Sequence, residues 1–295
     1  MQRVESEIAR LIQEIEYDEV TRLFKMLSGG KRLRAKLILK IAPTHKRAPL
    51  LAAIVELIHG ASLLHDDVID EATLRRGAAS VNATEGSKTA VMLGDILYSK
   101  AFSELVFFER DIAKIISSSV TALSKGEMMD VKMAHTFNTD EEKYLEMLHL
   151  KTATLIEAAA HSAAILADKD PLSYALYGRN LGLSFQIIDD ILDITSDAAT
   201  LGKPAMNDFV EGKCTLPYIY LYKVLNEEDK EKLITLHAKD LNEQESAWIL
   251  EKMQEYKTIE KSFELAQKLS DEAVNNVKND EQLINILQTM IKRSY

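Results

Sequence analysis

The chain has 295 residues, which is enough for one large domain or two small ones. Hydrophobic residues make up 46% of it, so a sizeable core can be buried, while a net charge of -10 argues against general nucleic-acid binding, which needs a basic surface. The single cysteine, Cys214, excludes an intrachain disulfide and agrees with a reducing cytoplasm.

The N-terminal residues do not resemble a signal peptide, because they carry mixed charges from the start and lack an apolar stretch. The most apolar long segment that the sequence pattern indicates is residues 155–167. This segment contains Glu157 and His161 and is too short to span a bilayer. We therefore expect a cytoplasmic protein without a transmembrane segment.

Helical patterns dominate the chain, and the period-two alternation that indicates strands is scarce. The five prolines lie near pauses in the helical pattern, where they avoid the cost of roughly 3 kcal/mol that proline carries in a helix interior. No linker divides the sequence, so we expect residues 1–295 to form a single all-helical domain. The pattern predicts helices at residues 2–26, 32–42, 47–70, 87–110, 112–134, 140–167, 171–197, 215–224, 227–236, 243–275 and 280–293.

Two longer loops are predicted between these helices, at residues 71–86 and 198–214. Both are rich in small residues, and both follow an acidic cluster. Long loops in a compact domain are often functional. The sequence therefore directs attention to the acidic clusters and to the loops that follow them.

The two acidic clusters have the same spacing of aspartates. They are Asp66–Asp70 (DDVID) and Asp189–Asp193 (DDILD), and each closes an otherwise apolar segment. Residues at i and i+4 share a helix face, so the first and last aspartates of each cluster point the same way. Aspartates on the solvated face of a helix are the ordinary alternative. That alternative fits poorly here, because the spacing occurs twice amid Leu, Ile and Val.

Clustered carboxylates repel one another and resist burial unless a cation neutralises them. Magnesium takes oxygen ligands and commonly bridges one or two carboxylates to substrate phosphates. Helical bundles also build metal sites from carboxylates on facing helices. The clusters therefore predict several magnesium ions around one diphosphate. The candidate ligands are Asp66, Asp67, Asp70, Asp189, Asp190 and Asp193.

Basic residues accompany both clusters. Residues 29–34 (GGKRLR) place a Gly-Gly turn before three cations, and glycine lets the backbone approach a ligand closely. Arg75 and Arg76 follow the first cluster, and Lys203 and Lys213 follow the second. Each item alone is ambiguous, since basic residues near turns are commonly solvated. Together they indicate diphosphates that are bound through metal ions, through the forked donors of Arg and through Lys ammonium groups.

In this combination of motifs the sequence resembles the polyprenyl (trans-isoprenyl) diphosphate synthase family, in particular its long-chain, octaprenyl-type members. The resemblance extends over nearly the whole chain, and paired DDxxD motifs with GGKR and RRG form a specific signature. The matching segments are GGKRLRA, ELIHGASLLHDDVIDEATLRRG, SVNATEG, MLGDILYSKAF, KTATLIEAAA, GLSFQIIDDILDI and LGKPAMNDFVEGKCTLP.

The resemblance implies an isoprenoid synthase helical bundle around a central cavity, usually a homodimer. It implies a Mg²⁺-dependent transferase that condenses isopentenyl diphosphate with an allylic diphosphate, with transient membrane contact during product release. Asp66, Asp70 and Asp189 match the principal magnesium ligands, and the other three aspartates match supporting positions.

The resemblance also implies two diphosphate sites. The carbonyl of Lys151, the hydroxyl of Thr152 and the amide of Gln186 would stabilise the allylic cation by their dipoles. The isopentenyl diphosphate site comprises Lys31, Arg34, His59 and Arg76. The allylic diphosphate site comprises Arg75, Lys151, Thr152, Gln186, Lys203 and Lys213.

Ala61 and Ser62 lie five and four residues before Asp66, so helical spacing places Ser62 below Asp66 with Ala61 beside it. Large aromatic residues at these positions block the growing chain in short-chain members of the family. The small residues here indicate a long product, about octaprenyl, although they would also permit close helix packing.

The sequence departs from the family pattern in two places. Ala35 stands where proline is common, and the segment between the first motif and Lys151 is slightly short, which bears on the product tunnel. Other functions remain open, with a feature against each. A short-chain synthase would share the aspartate and basic motifs, but large aromatic residues would be expected in place of Ala61 and Ser62. A terpene cyclase would not need GGKR and RRG, a non-catalytic subunit would have lost aspartates, and a structural helical protein would need neither clusters nor cations.

Overall fold

The computed structural model describes residues 1–27, 30–75, 77–195, 206–277 and 280–291, the side chains of Met290 and Ile291 excepted. Helices account for nearly all regular structure in these ranges, which confirms the all-α prediction. The strands found there are β1 (Leu74–Arg75) and β2 (Ala78–Ala79), which pair as a short antiparallel hairpin. The hairpin lies in the loop that follows the first acidic cluster.

The helices follow one another with short connections. They are α1 (Gln2–Gln13), α2 (Asp18–Phe24), α3 (Leu33–Ile41), α4 (Ala48–Ile69), α5 (Val81–Glu85), α6 (Ser87–Leu105), α7 (Arg110–Met133), α8 (Glu141–Leu148), α9 (Thr154–Leu166), α10 (Pro171–Thr195), α11 (Asn207–Val210), α12 (Leu216–Val224), α13 (Glu227–Leu236), α14 (Glu243–Glu255), α15 (Thr258–Asn276) and α16 (Glu281–Ile291). A 3₁₀ turn at Lys25–Leu27 and a π-helical segment at His149–Ala153 complete the set.

Two predicted long helices are wrong, because the chain breaks each of them with a left-handed residue. Residues 2–26 form α1 and α2, with Glu16 at φ +53° between them. Residues 243–275 form α14 and α15, with Lys257 at φ +54° before the second. Left-handed backbone cannot continue a right-handed helix, and nothing in the side-chain pattern at either point indicated the break. The short helices α5 and α11 lie in loops where none was predicted.

The chain divides into two compact units, which are described separately. The first comprises Met1–Leu123 and Leu155–Gly178. Its centre is α4, which packs against α1, α3 and α6 and begins with Pro49 in its first turn, a position that proline favours. Burial of successive apolar residues such as Leu51, Ile54 and Leu57 fixes this helix in the core.

By length and composition, α4 is apolar enough to cross a membrane, with a mean hydropathy of 1.5 over its most apolar window. The prediction that residues 155–167 are the most apolar long segment is therefore wrong. Within the structure, 72% of that window is buried, which is the pattern of a core helix. Among the described residues it is the one helix that passes this test.

The second unit comprises Ser124–Thr154 and Arg179–Tyr295. One apolar cluster joins α8 and the C-terminal half of α10 to α12 and α15. Another surrounds Phe209 and Tyr218, whose rings stack with centroids 4.3 Å apart. The second acidic cluster lies on α10 between these two groups of buried side chains. The single domain that the sequence predicts stays a prediction.

Candidate active site

The first acidic cluster occupies the last turn of α4, where its three aspartates differ in exposure. Asp67 is 2% exposed, Asp66 is half-buried, and Asp70 is exposed at the end of the helix. Asp67 accepts hydrogen bonds from the guanidinium of Arg75, with the Nε–Oδ1 distance at 2.7 Å. The buried carboxylate is therefore neutralised by an arginine on β1, while the other two are accessible to a ligand from solvent.

Asn82 and Ser80 fix the loop that carries Arg75. The Asn82 side-chain amide donates to the carbonyls of Asp67 and Ala72, at 3.0 Å each. The Ser80 hydroxyl donates to the Ala72 carbonyl at 2.6 Å. These bonds tie the hairpin to the end of α4, which gives the SVNATEG segment a positioning role.

The second acidic cluster, on α10, repeats this division. Asp189 is exposed, whereas Asp190 and Asp193 are 4% and 3% exposed. Asp190 accepts hydrogen bonds from the Tyr144 hydroxyl and from the Gln186 side-chain amide, the latter at 2.9 Å. Asp193 accepts one from the backbone N–H of Asp208 at 3.1 Å. Here too the inner carboxylates are held by the protein, and the first aspartate is accessible.

The electrostatics of the second cluster fit a divalent cation. Burial and the nearby Asp208 carboxylate raise the pKa of Asp190 to about 8, against the opposing hydrogen bonds from Tyr144 and Gln186. A cation would stabilise the charged form of such a carboxyl. The oxygen donors suit Mg²⁺, which keeps several waters and takes few protein ligands. Among the described residues there is no group of three or more His, Cys, Asp or Glu side chains placed to hold a metal ion.

Lys151 lies in the π-helical segment between α8 and α9, which the sequence analysis predicted as one helix over 140–167. Its ammonium is 2.6 Å from Asp130 Oδ2 and 2.9 Å from Glu127 Oε2. Burial disfavours the ammonium, but the attractions of Asp130 and Glu127 outweigh it and raise the pKa of Lys151. Lys151 is therefore a charged, half-buried side chain whose ammonium is held by two carboxylates of α7.

The hydroxyl of Thr152, also in the π-helical segment, donates to Gln186 Oε1 at 3.1 Å. Gln186 in turn donates to Asp190, so Thr152, Gln186 and Asp190 form a continuous chain of hydrogen bonds. This chain connects Thr152 and Gln186, two of the three residues predicted to stabilise the allylic cation, to the second acidic cluster. π-Helical segments in helices frequently occur at functional sites.

Three of the residues predicted to bind isopentenyl diphosphate are described: Lys31 precedes α3, Arg34 lies in its first turn, and His59 lies within α4. Lys31 is exposed, and Arg34 and His59 are half-buried. Next to them, Glu56 accepts from the guanidinium of Arg32 at 3.2 Å and from the backbone N–H of Ala35 at 3.0 Å. Proline at position 35 would lack this N–H, so the departure from the family pattern has a local structural use.

Two predicted residues, Arg76 and Lys203, lie outside the described residues. Lys213 is described and pairs with Glu211 at 2.8 Å. Of the predicted chain-length residues, Ala61 is fully buried, and Ser62 is half-buried and donates its hydroxyl to the His59 carbonyl at 2.9 Å. The site assignments stay predictions.

Four residues that contact the predicted site were not among those predicted from the sequence: Glu127, Asp130, Tyr144 and Asp208. Glu127 and Asp130 could have been predicted from the sequence, because two carboxylates three residues apart share a helix face. They are 8% and 7% exposed, and a buried carboxylate pair needs a cation. Nothing in the sequence around Tyr144 indicates its contact with Asp190, which depends on the packing of the helices.

An all-helical fold with two aspartate motifs, each followed by basic residues, defines a class of protein that binds metal-bridged diphosphates. Residues 18–255 match the family model described as polyprenyl synthetase. The chain belongs to this family.

Two curated relatives show the range of products in the family. An all-trans-nonaprenyl-diphosphate synthase (geranyl-diphosphate specific) of Rhodobacter capsulatus is 44% identical over 200 residues, 65% of this chain and 62% of that protein. The matched part is thus less than two thirds of that relative. A short chain isoprenyl diphosphate synthase of Methanothermobacter thermautotrophicus is 37% identical over 224 residues, 71% of this chain and 68% of that protein.

Two solved structures extend the likeness to the fold. Octaprenyl pyrophosphate synthase from Helicobacter pylori is 45% identical, with a TM-score of 0.93 over 98% of this chain and 97% of that one. A polyprenyl synthase from Caulobacter crescentus, complexed with calcium and isoprenyl diphosphate, is 29% identical, with a TM-score of 0.88 over 100% of this chain and 96% of that one. The second shows that a relative of this fold binds a divalent cation with its diphosphate ligand.

Proposed function

We propose that this protein is a Mg²⁺-dependent trans-prenyltransferase that condenses isopentenyl diphosphate with an allylic diphosphate to make a long all-trans polyprenyl diphosphate of about the octaprenyl class. One observation carries the proposal. In both acidic motifs the second aspartate is buried and held by protein donors, Asp67 by Arg75 and Asp190 by Tyr144 and Gln186. In both, the first aspartate is accessible to solvent.

We assign magnesium to Asp66 and Asp70 in one unit and to Asp189 in the other. The protein holds Asp67, Asp190 and Asp193 in fixed positions, so they orient the accessible aspartates and their hydration shells. When bound, magnesium would stabilise the negative charge that develops on the departing diphosphate. The chain itself then needs no nucleophilic side chain.

The remaining residues supply position and charge. The Lys151 ammonium binds the allylic diphosphate, together with Arg75, Lys203, Lys213 and the metal ions. The Thr152 hydroxyl and the Gln186 amide are fixed by their mutual hydrogen bond, and their dipoles stabilise the allylic cation. Lys31, Arg34, His59 and Arg76 hold isopentenyl diphosphate with its double bond towards that cation, which is catalysis by positioning.

Product analysis tests the proposal directly. The protein is incubated with Mg²⁺, labelled isopentenyl diphosphate and allylic primers of several lengths, and the products are separated by reversed-phase chromatography. A ladder of long polyprenyl products supports the proposal. A product that stops after a few additions identifies a short-chain synthase, which the 37% identical relative makes the second candidate. A hydrocarbon formed without isopentenyl diphosphate identifies a terpene cyclase, and no turnover of any primer contradicts enzymatic function.

We further propose a homodimer in the cytoplasm, with transient membrane contact when the apolar product leaves. Val91 and Met92, which are 37% and 56% exposed on α6, are apolar side chains that a second copy would cover.

The two diphosphate sites should be separable by mutation. Arg34→Ala or His59→Ala is expected to raise the KM for isopentenyl diphosphate about tenfold, the loss of roughly 1.4 kcal/mol that one charge-assisted hydrogen bond represents. Lys213→Ala, like Lys203→Ala, is expected to raise the KM for the allylic primer instead. Steady-state kinetics with one substrate varied at a time measure both constants.

Lys223→Ala is the control for the two-site prediction, because Lys223 forms a surface pair with Glu141 and belongs to neither predicted site. We expect this variant to keep both KM values. An equal rise in the KM of both substrates in every variant would show that the two sites are not distinct.

A large residue in place of Ser62 should shorten the product. Ser62 is half-buried one helical turn before Asp66, so Ser62→Tyr would place an aromatic ring in the path of a chain that grows from the metal-bound diphosphate. Ala61→Tyr tests the neighbouring position, although full burial of Ala61 adds an overpacking cost of about 1–3 kcal/mol. Chromatography of the products measures the change in length.

Ser62→Ala is the matched control, since it removes the hydrogen bond to the His59 carbonyl without adding bulk. It is expected to leave product length unchanged, and Ser62→Tyr is expected to keep the first condensation. An unaltered product distribution in both tyrosine variants would remove these two residues from the tunnel.

A further inference from the structure

Three neighbouring residues of α7 surround Lys151, and none of them belongs to the predicted substrate sites. Gly126 lies against the backbone of the π-helical segment. A Cβ at Gly126 would come within 2.4 Å of the Lys151 backbone nitrogen and 2.8 Å of Leu150 Cβ. Contacts that short do not occur between real atoms, so any side chain at position 126 must displace the segment that carries Lys151. Glycine is what permits this close approach.

Glu127 and Asp130 hold the other end of the same side chain. Both residues are buried, and the carboxylates of both contact the Lys151 ammonium, at 2.9 and 2.6 Å. Glu127 and Asp130 are three residues apart, so they lie on the same face of α7. Lys151 is thus held at its backbone by Gly126 and at its ammonium by two carboxylates.

The charges show what this arrangement does. Two carboxylates outnumber one ammonium, so the group as a whole does not attract anions by net charge. The contribution of Lys151 to diphosphate binding is therefore an N–H donor with a fixed orientation. An ammonium has three N–H donors, and two of them point at Glu127 and Asp130, which fixes where the third points.

We propose that Glu127 and Asp130 are positioning residues for the allylic diphosphate: each accepts one N–H of Lys151, and together they direct the third N–H at a phosphate oxygen, while Gly126 allows the approach that this requires. The inference rests on the proposed function in one respect, namely that Lys151 binds the allylic diphosphate.

A double-mutant cycle tests whether the carboxylates act through Lys151. Asp130→Asn and Glu127→Gln keep the size of each side chain and remove its charge. Each is expected to raise the KM for the allylic primer about tenfold and to leave the KM for isopentenyl diphosphate unchanged. Combined with Lys151→Met, neither should add a further loss. Multiplicative losses in the double variants would show that the carboxylates act independently of Lys151, and would overturn the inference.

Gly126→Ala tests the backbone contact, with Gly178→Ala as its matched control. A Cβ at Gly178 would also be too close to backbone, at 2.8 Å from the Ile156 carbonyl oxygen and from Glu157 Cα, but it touches α9 and not Lys151. Both variants should lower the Tm, and only Gly126→Ala should raise the KM for the allylic primer. Equal KM changes in the two variants, or none in Gly126→Ala, would contradict the proposal. If Gly126→Ala does not fold, the two carboxylate variants decide.

Binding of inorganic pyrophosphate with Mg²⁺, measured by titration calorimetry, separates the inference from the proposed function. Asp130→Asn is expected to weaken binding about tenfold, as Lys151→Met does. If the wild-type protein turns over no primer, but Asp130→Asn binds pyrophosphate about tenfold more weakly than the wild type, the proposed function fails and the positioning role stands. If the wild-type protein is active, and Asp130→Asn binds pyrophosphate as tightly as the wild-type protein, the positioning role is wrong.

Discussion

Removal of divalent cations is expected to abolish condensation, and Asp66→Ala or Asp189→Ala is expected to lower turnover by roughly 10²–10³-fold at saturating substrate. The physical reason is charge. A diphosphate leaving group develops negative charge, and the accessible carboxylates, Asp66 and Asp70 in the first motif and Asp189 in the second, are where a cation would bind. Incorporation of labelled isopentenyl diphosphate, assayed in excess chelator and again after Mg²⁺ is restored, measures the effect.

Asp240→Ala is the control for the metal prediction. Asp240 is an exposed aspartate in the loop between α13 and α14, far along the chain from both motifs, and its loss should leave turnover unchanged. Full activity of the wild-type protein in excess chelator would disprove metal dependence. Full activity of both aspartate variants would remove these residues from the metal sites.

Lys151→Met is the substitution for which we expect the largest combined loss of stability and activity. Methionine fills much of the same volume, but it leaves Glu127 and Asp130 buried without their cation. Removing one partner of a buried ion pair typically costs about 3–5 kcal/mol in the free energy of unfolding. Turnover of the allylic primer should fall about 100-fold as well, since in the proposed function the ammonium binds the diphosphate of that primer. Urea denaturation and steady-state kinetics measure the two effects.

The stabilisation by Lys151 should not change between about pH 6 and pH 9. The pKa of Lys151 is raised in the folded protein, so its contribution is fully present below the unfolded pKa of about 10.4 and is lost only as the pH rises through the higher folded value. We therefore expect the stability difference between wild type and Lys151→Met to be similar at both ends of this range.

Lys125→Met is the matched control, because Lys125 lies on α7, the helix that carries Glu127 and Asp130, and pairs with Glu146 at 3.2 Å, with both side chains more than half exposed. Surface pairs contribute about 0–1 kcal/mol, so this variant should unfold close to the wild-type urea concentration. A wild-type midpoint and a wild-type KM for Lys151→Met would show that the buried group neither stabilises the fold nor binds substrate.

Particular residues show how far the sequence could be interpreted. The spacing of Asp66 and Asp70, and of Asp189 and Asp193, is visible in the sequence because it depends only on the helical repeat. The same is true of the long apolar helix α4 up to the first motif, although its predicted limits of 47–70 had to be shortened to Ala48–Ile69. Glu16 and Lys257, by contrast, end helices through a backbone conformation that the side-chain pattern does not encode.

By itself, the sequence determined the helical class of the chain, its family and the two motifs, since these depend on local periodicity and on residue spacing. Only the tertiary structure showed that Asp67 is neutralised by Arg75 and Asp190 is held by Tyr144, and that Lys151 is enclosed by Gly126, Glu127 and Asp130. Tyr144 is 46 positions from Asp190, and Asp130 is 21 positions from Lys151. Contacts over such separations are set by how helices pack, because burial forces each charged group to find a partner wherever the chain brings one.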